Sequence, residues 1–97
     1  MTKTRLQVRP FDAAHYLNSE EEIAAYLDVV LEDNDPMLLA IALGDIARAR
    51  GMSELARKTG LSRESLYKSL SGERVPSTET LLKVIHALGF KLTVSPA

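Results

Sequence analysis

A chain of 97 residues with 45% apolar content supports one compact domain and an arm at most, which excludes a second enzyme-sized unit. With no cysteine it has no disulfide, thiolate zinc site or cysteine nucleophile, in keeping with a reducing compartment. The formal net charge of −1 hides a segregation: residues 1–47 carry three basic side chains against nine acidic ones, a balance of −6, while residues 48–97 carry nine basic against four acidic, a balance of +5, so one half predicts a polyanion partner unless solvated charges have segregated by chance.

Residues 1–18 show no sustained period and contain Pro10, so they read as an arm, ordered where Phe11, Tyr16 and Leu17 find something to pack on. No apolar run approaches the roughly 20 residues that span a bilayer, and "MTKTRLQVRPFDAAHYL" lacks the apolar middle of a signal peptide. The expected localisation is cytoplasmic, with no membrane contact.

The first helix begins at Ser19, whose hydroxyl can cap, with Glu22 as reciprocal capping-box partner and Glu20 and Glu21 at the positive end of the dipole. Ile23, Leu27, Val30 and Leu31 make one apolar stripe running to about Glu32. "DNDP" ends this helix, and Asp35 with Pro36 opens the next. There Leu39, Ala42, Leu43, Ile46 and Ala47 face inward, Leu38 and Ile41 broaden the stripe, and Gly51 stops the helix in a left-handed cap. Ser53 caps a third helix ending at Gly60, and Ser62 a fourth ending near Gly72. Ser77 caps a fifth, with Leu81, Leu82, Ile85 and Leu88 as its apolar face and Gly89 as terminator. "FKLTV" at 90–94 alternates Phe90, Leu92 and Val94 with Lys91 and Thr93, the period of a half-buried strand. A lone strand in a helical chain needs a partner, so the pattern predicts a homodimer paired through 90–94, with a tail packed on the helices as the alternative.

The expected fold is all-α: an arm over 1–18 and a single helical domain over 19–94, with five helices and a short C-terminal β-strand. Its core spans 35–88 and its helix-turn-helix motif 53–71. Two short helices joined by a tight turn match the arrangement that lays its second helix in the DNA major groove. Leu55 and the small Ala56 would be buried, Leu61 would plug the corner, and Leu66 and Leu70 would hold the second helix down. Ser62, Arg63, Glu64, Ser65, Tyr67, Lys68 and Ser69 remain outward. Arg63 can fork onto guanine O6 and N7, and Glu64 can accept from a cytosine amino group. Lys68 can reach a base or a phosphate, and Ser65 ranks below these because it can face the helix seam. Ser53, Ser62, Tyr67 and Arg74 are candidate phosphate contacts. The bland reading is a solvated helical hairpin, against which stands the recurrence of cap, small residue, glycine, corner leucine and basic surroundings at the required spacing.

No metal site or cofactor is expected. His15 and His86 stand too far apart for a short ligand motif, there is no Gly-rich phosphate loop, and Glu20 to Glu22 read as dipole partners of a helix start. His86 is expected as a half-buried packing or interface residue. The chain is not expected to be an enzyme.

"SELARKTGLSRESLYKSLSGERVPSTETLLKVIHALGFKL" resembles the phage-repressor (Xre or Cro type) helix-turn-helix superfamily. More narrowly, "FDAAHYLNSEEEIAAYLDVVLEDNDPMLLAIALGDIARARGMSELARKTGLSRESLYKSLS" is similar to the addiction-module antidote proteins, HigA-like antitoxins of type II toxin-antitoxin pairs. One departure is Ser69, where the superfamily usually places an apolar residue. The resemblance implies an antitoxin that neutralises a RelE- or HigB-like ribonuclease toxin and represses its own operon by binding a palindromic operator as a dimer. An acidic first half (Asp12, Glu20 to Glu22, Asp28, Glu32) suits a basic partner. A standalone regulator or a protein-interaction module of the same fold is the alternative.

Overall fold

Ser19 stands where the sequence places a cap: its hydroxyl accepts the Glu22 N–H at 3.1 Å, and α1 (Glu20–Leu31) follows. The structure, a computed structural model, describes residues 19–97, so the arm expected over 1–18 lies outside the described residues. Asp35 caps α2 (Pro36–Arg50), its Oδ1 accepting from the amides of Met37 at 3.0 Å and Leu38 at 3.4 Å. Then come α3 (Met52–Thr59), α4 (Arg63–Ser69) and α5 (Thr78–Ala87), the last capped by the Ser77 hydroxyl on the Thr80 amide at 3.1 Å. Among the described residues the fold is all-helical, with five helices.

α2 forms the hub. Leu39, Ala40, Ala42, Leu43, Gly44, Asp45, Ile46 and Ala47 are all buried, and α1, α3 and α5 pack on it. The other helices contribute Ile23, Leu27 and Val30, then Leu55, Leu66, Val84, Ile85 and Leu88 to the same core. At the edge of an apolar stripe one residue can turn outward while a near neighbour turns in, because successive residues on a helix diverge by about 100°. Val30 is therefore buried while Leu31 is 37% exposed, and Val84 is fully buried while Leu82, expected inside, is 47% exposed.

The β-strand expected at 90–94 does not form. Phe90 folds back instead, donating its N–H to the Ile85 carbonyl at 3.1 Å and packing its ring on the core. Beyond it Leu92 is 45% exposed and Val94 98% exposed. No second extended segment among the described residues offers a ladder of backbone partners, and a strand without one is not a strand.

Gly51 replaces two expected features. It adopts φ +117° and ψ 115°, outside the left-handed helical region expected for it, and serves as the last cap of α2 and the first of α3 at once. Its N–H donates to the Ala47 carbonyl at 2.7 Å, and its carbonyl accepts the Leu55 N–H at 3.2 Å. Because α3 starts at Met52, Ser53 lies inside the first turn and caps nothing.

Gly44 answers a different demand, namely space. A Cβ there would lie 2.6 Å from the Leu70 carbonyl oxygen, so the end of α4 rests directly on the backbone of α2. Next to it, Asp45 is 4% exposed in an otherwise apolar core. Burial pushes its carboxyl above the ordinary 3.8, and this outweighs the opposing hydrogen bond and charge of Arg48. The hydroxyl of Tyr26, on α1, sits beside that carboxylate and is itself pushed up, first by burial and then by the Asp45 charge. A carboxyl with a raised folded-state pKa contributes stability that is complete below its unfolded value and disappears as the pH rises through the folded one. Denaturant titrations at stepped pH should therefore show the wild type losing stability upward from pH about 4, with this component missing in Asp45→Asn.

Candidate nucleic-acid interface

The corner between α3 and α4 is tied by the chain's own side chains. The Gly60 N–H returns to the Ala56 carbonyl at 2.9 Å and closes α3. Thr59 donates its hydroxyl to the Leu55 carbonyl at 2.9 Å and accepts the Leu61 N–H at 3.2 Å, so one side chain stitches the end of α3 to the turn. Leu61 packs half-buried on the core. Ser62 then caps α4, its hydroxyl accepting the Ser65 N–H at 3.0 Å.

α4 is held from below. Leu66 is fully buried and Leu70, just past the helix, is 1% exposed. Everything else on the opposite face is presented to solvent: Ser62, Arg63, Glu64, Ser65, Tyr67 and Lys68 are exposed. Ser65 is thus on the open face and not in the seam between helices, while Ser69 is half-buried. The Arg63 guanidinium stands over the Tyr67 ring at 5.9 Å from its centroid, a cation–π geometry that restrains a long side chain near the helix start. Ser53 on α3 and Arg74 past α4 are exposed as well. Ser62 to Lys68 are therefore brought together on one short helix, and Ser53 and Arg74 lie on the flanking segments. His86, expected half-buried, is exposed on α5.

The charges differ in availability. On α3, Glu54 takes a short hydrogen-bonded ion pair from Arg57 and stands 3.8 Å from Lys58. The Arg57 hydrogen bond holds the Glu54 carboxyl below its ordinary value. Among the described residues no carboxylate pairs with Arg63, Lys68 or Arg74. These three cations can meet an anion without first breaking an ion pair. No group of His, Cys, Asp or Glu among the described residues is placed to hold a metal ion, and no helix there is long and apolar enough to cross a membrane.

Sequence reasoning passed over Thr59 and Gly44. Thr59 had a visible signal, a hydroxyl residue immediately before the corner glycine in "KTGLS". Gly44 had none, because the close approach it permits joins segments 26 residues apart in the chain, at positions 44 and 70.

A family model described as "Probable addiction module antidote protein" matches residues 7–96. A protein of Haemophilus influenzae described as uncharacterized is 50% identical over 88 residues, covering 91% of this chain and 91% of its own length. No solved structure matches significantly.

If the Ser62 cap fixes the start of α4, Ser62→Ala should lower stability by about 1 kcal/mol in urea denaturation. A change within error would show that core packing alone sets the helix start.

Proposed function

The chain belongs to the family of probable addiction module antidote proteins, and from that premise we propose that it is a HigA-like antitoxin that recognises its own operator through α3 and α4. An antidote implies a toxin as partner. The finer reading is of an Xre/Cro-type helix-turn-helix in which α4 enters the major groove, a RelE- or HigB-like ribonuclease is neutralised, and the operon is repressed by a dimer on a palindromic site.

The observation that carries the DNA reading is the presentation of α4. A seven-residue helix is too short to be stable alone, yet Leu66 and Leu70 anchor it while Arg63, Glu64, Ser65, Tyr67 and Lys68 all face solvent. Arg63 and Glu64, in its first turn, are the base-reading pair, since the start of a recognition helix reaches deepest into the groove. Lys68, Tyr67, Ser62, Ser53 and Arg74 surround them with groups suited to phosphate. Ser65 lies on the same open face and joins the readers.

Support for the protein partner lies on α1. Glu20, Glu21, Asp28 and Glu32 are exposed along α1 in the acidic half of the chain, a surface suited to a basic, RNA-cutting toxin. The dimer is supported by the tail, where Leu92 and Val94 are apolar and uncovered.

The deciding experiment is binding to a labelled duplex of the gene's own upstream region, with excess nonspecific DNA and across a salt series. Tight binding that survives competitor is expected; binding abolished by competitor would leave a generic polyanion surface and favour the interaction-module reading. Arg63→Ala should cost about 1–3 kcal/mol and relax preference at one base pair, whereas Arg74→Ala should weaken all sequences alike. Identical effects from the two would refute the division of roles. Ending the chain after Phe90 should turn dimers into monomers by sedimentation and weaken operator binding; a truncated chain that stays dimeric places the contact elsewhere.

A further inference from the structure

Asp45 has no task in the reading above, although it is the one charged side chain buried among the described residues. Its Oδ1 accepts the Arg48 Nη2 at 2.9 Å, and the Tyr26 hydroxyl is the other donor near the carboxylate. A buried ion pair is poor evidence of stabilisation, since apolar residues of similar size often serve as well or better. The reason for this one is found in what lies against it.

The Cβ position of Gly44 is 2.6 Å from the Leu70 carbonyl oxygen, 3.2 Å from the Leu70 Cβ and 3.5 Å from the Arg48 Nη1. The two terminal nitrogens of Arg48 therefore divide their work: Nη2 is held by Asp45, and Nη1 lies at the spot where the end of α4 meets α2. The end of α4 carries the negative pole of its dipole, so a cation held in that neighbourhood is favourable. Left to itself, Arg48 is 46% exposed on its side chain and would sample many rotamers in water. The buried carboxylate removes that freedom.

We propose that Asp45 and Arg48 are positioning residues for α4: Asp45 locks the Arg48 guanidinium against the backbone junction of Gly44 and Leu70, and this sets the angle at which Arg63, Glu64 and Lys68 face the duplex. Tyr26 of α1, with its hydroxyl beside the same carboxylate, extends the contact to the acidic helix. The proposal rests on the DNA-binding reading for its functional meaning, but its structural part can be measured without DNA.

Asp45→Asn separates positioning from simple electrostatics because the two predict opposite signs. Removing a negative charge makes the protein more cationic, which alone would tighten binding to every duplex. Lost positioning instead lowers operator affinity by about fivefold while nonspecific affinity is unchanged or rises. Arg48→Gln, whose shorter amide cannot reach as the guanidinium does, removes the same link from its half-exposed side and should lower the ratio of specific to nonspecific affinity in the same way. The DNA-free measurement is amide exchange at Leu70, whose N–H donates to the Leu66 carbonyl at 2.9 Å, with Leu55 in α3 as the internal control. Both variants should speed exchange at Leu70 and leave Leu55 unchanged. Wild-type exchange at Leu70 in both variants overturns the proposal. Should the wild type show no operator preference, the DNA reading fails on its own, and exchange at Leu70 alone decides whether the pair positions α4.

Discussion

The burial of α2 on nearly every side is the constraint from which the remaining arrangement follows. Five helices of 7 to 15 residues cannot each stand alone in water, and α3 and α4, at eight and seven residues, are far below the roughly 12–15 at which an isolated helix becomes even marginal. They exist because α2 offers them a surface. Its small residues, Ala40, Ala42, Gly44 and Ala47, let neighbours approach closely, while Leu39, Leu43 and Ile46 fill the space between. A helix wrapped in this way has to be apolar all round, which is why the single carboxylate at Asp45 stands out.

This arrangement also separates the two chemistries of the chain. The acidic residues crowd α1 and the approach to α2, and the cations follow from Arg48 onward. Once folded, α1 presents exposed carboxylates, while α4 and the segment after it present Arg63, Lys68 and Arg74 with no salt bridge among the described residues. Two partners of opposite sign can thus be attracted to different surfaces of a protein with almost no net charge.

Helix identities were legible in the sequence because caps and apolar period agreed: Ser19, Asp35, Ser62 and Ser77 all cap as their spacing predicts. The outward set on α4 was legible for the same reason, since Leu66 and Leu70 leave only one face free. Rotation was harder to read. The pairs Val30–Leu31 and Leu81–Leu82 give two registers that composition cannot separate, and packing decides between them. The alternation in "FKLTV" was real as a pattern but had no backbone partner to act on within one chain. The Ser53 cap failed because Gly51 already occupied the position between helices. Least legible was the Gly44–Leu70 contact, a property of two backbones that leaves no periodic trace.

Gly51 carries a mechanical consequence. With one residue closing α2 and opening α3, there is no slack chain between the two helices, and a bend there would strain the bonds to Ala47 and Leu55 together. α3 is therefore joined to α2 directly and not through a loop. A displacement of α2 is therefore handed to α3 through two backbone hydrogen bonds at a single residue, with no intervening loop to take it up.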